Sequence, residues 1–258
     1  MLWFLLVCAL GAQPAPPAPE YAAAVAGGDE RHAAFDAAGA RRQYERALEI
    51  DPTSVAARAR LAHVLGDLGE DARAEADRRA RELLDEALAL AEALQRDAPE
   101  RSEGHYAVAA ALGNLMTFLS GPEKVRASRR IDEAARRAAG IDPCLAPAYA
   151  VLAITYRELA SLSGFVRGIA RAALGGLPKA TLDDAEWLLR AAAALDPGDP
   201  FNHYQLALTL EKMGRPDDAA VELERARALP DRERRDRRNR ADAETRLARL
   251  RGVDSLRR

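Results

Sequence analysis

The stretch "ALDPGDPFNHYQLALTLEKMGRPDDAAVELERARALP", residues 194–230, contains one complete unit of a pattern that runs through the chain. It opens on Leu195-Asp196-Pro197, and nearly the same tripeptide stands at Ile50-Asp51-Pro52 and at Ile141-Asp142-Pro143. Proline cannot continue an α-helix, and it restricts the residue before it. Each tripeptide therefore predicts the end of an amphipathic helix.

Small and apolar residues keep fixed distances from these prolines. Five residues before Pro52, Pro143 and Pro197 stands an alanine, and nine and ten residues after each of them stand leucine and alanine. Residues three and four apart share one face of a helix, and a small residue lets two helices cross closely. The repeated unit is therefore predicted to be a helical hairpin, with a left-handed turn at a glycine such as Gly69 or Gly214 after its first helix.

The last copy carries most of the landmarks of a known repeat. They are Leu206, Ala207, Leu210, Gly214, Ala219, Leu223 and Ala226, whereas His203 stands where an aromatic residue is usual. In this order they resemble the tetratricopeptide repeat, a unit of about 34 residues. The resemblance implies an all-α, tetratricopeptide-like helical-hairpin solenoid with insertions and a C-terminal capping helix.

The spacing of the prolines divides the chain into predicted hairpins. Residues 20–258 are predicted to form a single domain, with hairpins at about 21–52, 54–98, 102–143, 146–197 and 200–230 and a capping helix at about 233–251. Capping boxes, Ser120 to Glu123 and Thr181 to Asp184, predict the starts of two of the helices. Only the last proline interval is close to the plain unit, so the other hairpins carry insertions.

Residues 1–19 have a different composition from the rest of the chain. The apolar run "MLWFLLVCALGA" is too short to span a bilayer, and a Pro/Ala linker follows it. This order is typical of a secretory signal, which we expect to be cleaved between about Ala12 and Ala18. The chain is therefore predicted to be exported to the periplasm or the outside. The alternative is a cytoplasmic protein, because no Lys or Arg precedes the run.

The insertion in the fourth hairpin is itself informative. Leu152, Tyr156 and Ala160 are followed by Pro178 and Thr181, and then by the tripeptide ending at Pro197. This order resembles the regulator of microtubule dynamics family over roughly residues 100–250. The sequence departs from the family at Ala153 and Thr155, where glycine and a large aromatic residue are usual. The resemblance implies a non-catalytic, protein-binding role, and leaves open whether a microtubule-related role applies. The chain is therefore predicted to be a scaffold for protein–protein interaction, and the alternative is an exported or envelope-associated assembly or structural component on a membrane surface.

Residues 161–180 are predicted to be a short helix flanked by glycines and packed on the solenoid. Phe165, Val166, Ile169 and Leu174 would form its apolar face, opposite Arg167 and Arg171. This face is expected to pack on the neighbouring hairpin, and the alternative is contact with a membrane surface or a partner helix.

The residues that usually carry chemistry are scattered. His32, His63, His105 and His203 include no pair at metal-binding helical spacing, and Cys144 has no histidine near it in sequence. The stretch "GGLPKAT" lacks the glycine before the lysine that a phosphate-binding loop needs. The sequence therefore predicts no catalytic residue, no cofactor and no metal.

Charge argues against nucleic acid as a partner. The formal net charge is −2, so the chain has no general attraction for an anionic polymer or membrane. Residues 231–258 hold eleven arginines against six acids, but no aromatic residue is interleaved among them. A solvated capping helix, with Ala243, Leu247 and Leu250 on its buried side, is the expected structure.

The partner is predicted to bind on the inner face, which in such stacks is formed by the first helix of each hairpin. The inward positions are His63, Asp67, Tyr106, Asn114, Ile154, Arg157, Glu158, Tyr204, Leu208, Glu211 and Lys212. We expect an internal peptide segment or a helix as ligand, held by Tyr106 and Tyr204 while Arg157 pairs with an acid. The alternative is an inert groove that is filled by the protein's own insertion or N-terminal segment.

Overall fold

The computed structural model describes residues 18–174 and 176–256. The predicted signal segment lies outside them except for Ala18 and Pro19, and it stays a prediction. The helices are α1 (Pro19–Ala33), α2 (Ala37–Ile50), α3 (Val55–Ala74), α4 (Ala80–Asp97), α5 (Ser102–Leu115), α6 (Gly121–Ile141), α7 (Ala146–Ala160), α8 (Gly164–Leu174), α9 (Leu182–Leu195), α10 (Pro200–Lys212), α11 (Pro216–Ala228) and α12 (Arg234–Leu256), with a 3-10 turn at Met116–Phe118. No helix among the described residues has the length and apolar character needed to cross a bilayer.

The helices pack as a stack of hairpins, which confirms the predicted all-α solenoid. Within hairpins, α1 packs on α2, α3 on α4, α5 on α6, α7 on α9 and α10 on α11. Successive hairpins stack because α3 contacts α5, α5 contacts α7 and α7 contacts α10. We call the side formed by the first helices α1, α3, α5, α7 and α10 the inner face.

The repeated tripeptide ends the second helix of a hairpin, as predicted. Asp51, Asp142 and Asp196 are the C-cap residues of α2, α6 and α9, and each is followed by its proline. In each case the aspartate N–H donates to the carbonyl of the alanine four residues before it, which closes the last helical turn. These alanines, Ala47, Ala138 and Ala192, are completely buried. The fixed offset in the sequence is therefore a packing point between helices.

The two glycines after the first helices have different roles. Gly214 has a φ of +74° and makes the predicted left-handed turn between α10 and α11. Gly69, in contrast, lies inside α3, so the prediction of a turn there was wrong. A Cβ atom on Gly69 would lie 2.5 Å from Leu84 Cδ2, and glycine therefore allows α3 and α4 to approach closely.

The insertion forms α8, which contacts α6. Among the side chains of α8 that the structure describes, Ala170 is buried, whereas Phe165 and Val166 are exposed. The side chains of Ile169 and Leu174 lie outside the described part. The expectation that Phe165 and Val166 pack on the neighbouring hairpin was therefore wrong. The predicted capping box that begins α9 is confirmed, because Thr181 N donates to Asp184 Oδ2 at 3.1 Å and Asp184 N donates to Thr181 Oγ1 at 3.0 Å.

Candidate functional site

A cavity of about 580 Å³ opens on the inner face. Its walls come from α1, α3, α5 and α7, and the start of α10 and one side chain of α12 complete them. The first helices line it because the second helices of the hairpins lie behind them. The cavity is therefore a direct product of the hairpin stack.

Small apolar side chains form the floor of the cavity. Ala62, Ala107, Ala111, Val151 and Ile154 line it, and the three alanines are buried. Alanine at these positions lets α3, α5 and α7 pack closely, and it leaves the space above the floor unfilled. The floor therefore offers an apolar surface to a ligand.

The charged side chains that line the cavity are mostly acidic. They are Asp29, Asp67, Glu103, Glu158 and Asp199, against Arg60 and Arg235. Asp29 is already neutralised, because Arg60 Nε and Tyr44 Oη donate to its Oδ1 at 2.8 and 2.7 Å. Glu158 accepts a hydrogen bond from Arg157 Nε at 3.1 Å, but 57% of its side chain is exposed to solvent. The cavity therefore has a negative rim that is partly neutralised.

Six of the predicted inner-face residues line this cavity. They are His63, Asp67, Tyr106, Asn114, Ile154 and Glu158. Tyr106 is half-buried, and burial raises the pKa of its hydroxyl to about 12. Its hydroxyl is therefore neutral at physiological pH and can donate a hydrogen bond to a ligand.

Arg157 lies away from the cavity, in contrast to its predicted role in pairing with an acid of a ligand. Its side chain is buried between α7 and α10, where Nη1 donates to Gln205 Oε1 at 2.8 Å and to the Gln205 carbonyl at 3.1 Å. Its Nε donates to Glu158 Oε1 at 3.1 Å. Arg157 therefore joins two hairpins.

The predicted residues on α10 are covered by α12. Tyr204 is buried, and its hydroxyl donates to Asp242 Oδ2 of α12 at 2.6 Å. Glu211 accepts from Arg246 Nη1 at 2.5 Å, and Arg249 Nη2 lies 3.2 Å from the same carboxylate. Tyr204 and Glu211 therefore help to hold α12 on α10, and neither of these two side chains lines the cavity.

Two further predicted residues also lie outside the cavity. Leu208 packs against the main apolar core. Lys212 Nζ donates to Ser161 Oγ at 2.9 Å and lies 3.6 Å from Glu158 Oε1. The prediction that Tyr106, Arg157 and Tyr204 hold one ligand together therefore does not agree with their positions, and Tyr106 alone faces the cavity.

The helix α12 reaches from the last hairpin back to the beginning of the chain. Ala243 and Leu247 are buried and Leu250 packs on the core, as predicted for a capping helix. In addition, Arg238 Nη1 donates to Asp71 Oδ1 of α3 at 2.7 Å, across 167 residues of sequence. A solvated cap was therefore an incomplete description, because the first turns of α12 join the two ends of the stack.

Side chains at the start of α12 enter the cavity and its edge. Glu233 Oε1 lies 3.1 Å from His63 Nε2, and Arg235 Nε lies 2.7 Å from Glu233 Oε2. The Arg235 guanidinium stacks over the Phe201 ring, with Cζ 4.0 Å from the centroid. The inner face is thus covered in part by the chain's own C-terminal helix, whereas helix α8 of the insertion contacts α6. The predicted N-terminal segment lies outside the described residues.

Two histidines meet at this edge. His32 Nε2 of α1 lies 2.7 Å from Asp67 Oδ2 of α3, and His63 Nε2 lies 3.7 Å from the same oxygen. The Asp67 carboxylate raises the pKa of His63 to about 9. Although burial raises the pKa of Glu233, the charges of Arg235 and His63 lower it to about 2. The expectation of scattered histidines was therefore wrong for this pair.

The remaining histidines have structural partners. His105 Nε2 lies 2.8 Å from the Pro99 carbonyl and Nδ1 lies 2.8 Å from Gln95 Nε2. His203 is buried, with Nδ1 2.7 Å from Glu222 Oε2. His203 therefore fills the aromatic position of the repeat with a polar pair between α10 and α11.

Sequence reasoning missed His32, Phe201, Glu233 and Arg235 as residues of this region. One signal was available, because His63 and Asp67 are four apart and so share a helix face. The approach of His32 and Glu233 to that face depends on how α1 and α12 pack on α3. That packing joins residues far apart in the chain, and no local pattern encodes it.

A stack of hairpins with a ligand-sized cavity on its inner face defines the chain as a tetratricopeptide-type helical-repeat protein. The family model described as Regulator of microtubule dynamics protein 1-3 matches residues 24–251. The chain belongs to this family, as the sequence resemblance predicted.

Solved structures with a similar fold support the class. The chain is similar to a thermophilic TPR protein of Thermus thermophilus, with a TM-score of 0.65 and 21% identity over 87% of this chain and 99% of that one. It is also similar to yeast Tom70, with a TM-score of 0.51 and 16% identity over 90% of this chain and 40% of that one. At these identities the similarity concerns the fold. Among curated proteins, none matches the sequence.

Proposed function

We propose that the chain is a non-catalytic scaffold that holds a segment of a partner protein in the inner-face cavity. The observation that carries this proposal is the cavity itself, at about 580 Å³ and lined by the first helices of the first four hairpins. Binding clefts that enclose a ligand have volumes of about 300–1,000 Å³. A cavity of this size takes a few side chains of a segment, and the rest of the partner would lie outside it.

The lining selects the chemistry of that segment. The floor of Ala107, Ala111 and Ile154 favours apolar side chains, because their burial there releases water from both surfaces. The exposed carboxylate of Glu158 on the rim favours a basic residue beside them. We therefore expect an apolar segment flanked by lysine or arginine. The proposal does not extend to microtubules, because the apolar floor and the acidic rim favour certain side chains and do not identify a particular partner protein.

Affinity capture from cells of the host, followed by mass spectrometry, tests this function. The bait is the tagged chain, and its variants are Ile154→Glu, which places a charge on the apolar floor, and Tyr106→Ala. Each variant should reduce the recovery of the partner by about tenfold or more, as expected for residues at the centre of an interface.

Val221→Glu is the matched control, because Val221 is an exposed apolar residue on α11 and does not line the cavity. This variant should recover the partner as well as the parent does. Peptide arrays of the captured protein would then identify the segment. Equal recovery by Ile154→Glu and Val221→Glu would show that the partner binds elsewhere, with α12 or α8 as the next surfaces to test.

Export remains part of the proposal. The N-terminal run predicts a secretory signal, so the partner would be a protein outside the cytoplasm. N-terminal sequencing of the protein isolated from its host should find a start between about Ala12 and Ala18. A protein that begins at Met1 would contradict this location.

A further inference from the structure

Three side chains with metal-binding atoms meet at the edge of the cavity, and we call them the His32–His63–Asp67 cluster. His32 comes from the last turn of α1, and His63 and Asp67 lie one turn apart on α3. Their nearest ligand atoms all lie within 4.8 Å of one another. The cluster therefore brings two separate helices to one point.

The geometry is close to that of a bound ion. In a tetrahedral zinc site, bond lengths of about 2.0–2.1 Å place neighbouring ligand atoms about 3.3 Å apart. Asp67 Oδ2 lies 2.7 Å from His32 Nε2 and 3.7 Å from His63 Nε2, so the two separations bracket that value. The imidazole rings meet edge to face, with centroids 5.3 Å apart, and both turn Nε2 toward the carboxylate. All three ligand atoms lie within 4.8 Å of one another, and rotation of the side chains would have to bring the two imidazole nitrogens to the separation that one ion needs.

The donor set indicates the class of ion. Two imidazole nitrogens and one carboxylate oxygen suit divalent ions of the later first-row transition series, such as Zn²⁺, better than Mg²⁺ or Ca²⁺, which prefer oxygen alone. Glu233 Oε1, which lies 3.1 Å from His63 Nε2, is placed to supply a fourth ligand from the residue before α12.

The surrounding charges allow a cation. Asp67 and Glu233 contribute two negative charges beside the imidazoles. Two positive groups lie here as well. His63 holds a proton at neutral pH, which a bound ion would displace from Nε2, and Arg235 Nε pairs with Glu233 Oε2 at 2.7 Å while its plane stacks on Phe201. The cluster residues are half-buried and line the cavity, so an ion can reach them from solvent.

We infer that the His32–His63–Asp67 cluster binds one Zn²⁺-class divalent ion, with Glu233 as the fourth ligand. The ion would link α1, α3 and α12 at the point where the two ends of the stack meet. The inference is independent of the proposed peptide partner, because it concerns the edge of the cavity and its test needs no protein ligand.

Calorimetric titration with Zn²⁺ tests the site on the full chain, free of any histidine tag and dialysed against a chelator. Cys8→Ser and Cys144→Ser form the background, because a free thiol such as that of exposed Cys144 also binds zinc. One Zn²⁺ per chain is expected. His32→Asn, His63→Asn and Asp67→Asn should each weaken binding by more than about tenfold, as loss of groups at metal sites does.

His105→Asn is the matched control, since His105 is also half-buried but lies outside the cavity. Its affinity for Zn²⁺ should equal that of the parent. Circular dichroism confirms that each variant is folded before titration. Glu233→Gln should weaken binding less than the three cluster variants, because water can replace a fourth ligand.

A second measurement uses the chain with all four residues intact, and so does not depend on whether a variant folds. Co²⁺ in place of Zn²⁺ should produce hyperfine-shifted, exchangeable imidazole N–H proton signals from two coordinated histidines. Absence of these signals, or a Zn²⁺ affinity that His63→Asn leaves unchanged, would overturn the inference.

Discussion

The inner face has an open part and a covered part, although both are built from the same repeat. On α3, α5 and α7 the inward side chains line a cavity, with Tyr106 and Ile154 available to a ligand. On α10 the inward side chains Tyr204 and Glu211 bind α12 instead. The repeat pattern therefore determines which side chains point inward, and the element that packs next determines whether they remain accessible.

This difference predicts opposite responses to substitution. In the covered part, side chains contribute to stability, and their loss should lower the free energy of unfolding. In the open part, side chains are available for binding, and their loss should leave unfolding nearly unchanged. Four substitutions test this contrast by urea denaturation of the full chain, from the largest expected effect to the smallest.

Leu247→Ala should have the largest effect. Leu247 lies on the buried side of α12 and is 4% exposed. Removing its side chain leaves a cavity between α12 and the last hairpin, at a cost of about 3 kcal/mol in unfolding free energy. Val221→Ala, at an exposed apolar position on α11, should cost less than about 0.5 kcal/mol. Equal effects of the two changes would mean that α12 is not packed on the core.

Arg157→Ala should lower the free energy of unfolding by about 2 kcal/mol, because it removes charged hydrogen bonds to Gln205 between α7 and α10. Arg157→Met keeps much of the packing volume and separates the two contributions. If Arg157→Met is as stable as the parent, packing and not hydrogen bonding accounts for the effect.

Tyr204→Phe should cost about 1 kcal/mol. The change removes only the hydroxyl that donates to Asp242 of α12 at 2.6 Å, and the ring stays in place. Asp242 also pairs with Arg246 Nε, so a double-mutant cycle with Asp242→Asn is needed to isolate the bond to Tyr204, and the double variant should lose less than the sum of the two single changes. Additive losses would show that the two groups act independently in solution.

Glu158→Ala should have the smallest effect on unfolding, within about 0.5 kcal/mol of the parent, since its side chain is 57% exposed. It should nevertheless weaken capture of the partner, because its carboxylate is on the rim of the cavity. The changes in unfolding free energy for Glu158→Ala and Arg157→Ala can be compared directly, because the two residues are neighbours on the same turn of α7. A large loss of stability in Glu158→Ala would remove the distinction between the open and covered parts.

Much of the fold could be predicted because its signals are local. Each recurring tripeptide marks the end of a helix, and the alanine before it marks a buried position where that helix packs on another. These alanines are Ala47, Ala138 and Ala192. Such signals repeat along the chain, and repetition makes them visible in one sequence. Gly69 shows the limit, because glycine serves equally for a turn and for close approach of two helices.

The site could be predicted in part, for a related reason. Tyr106 and Ile154 could be placed in the cavity by counting from repeat landmarks, because the first helices have regular spacing. Arg157 could not, since the same counting does not show that Gln205 of the next hairpin takes up its guanidinium. Contacts of α12 with α3 join positions more than 160 residues apart, as between Arg238 and Asp71, and depend on the curvature of the whole stack.

The contact between α12 and α3 has a consequence for folding. In an open solenoid each repeat touches only its neighbours, so the terminal repeats fray and unfolding proceeds in steps from the ends. Here Arg238 and Asp71 connect the last helix to the second hairpin across 167 residues. The last helix cannot open without breaking this long-range contact to the second hairpin, so hydrogen exchange should be suppressed at α3 and α12 together. The part of the chain from α3 to α12 should therefore unfold as one cooperative unit, and fold more slowly than a linear array of equal length, because the connection closes last.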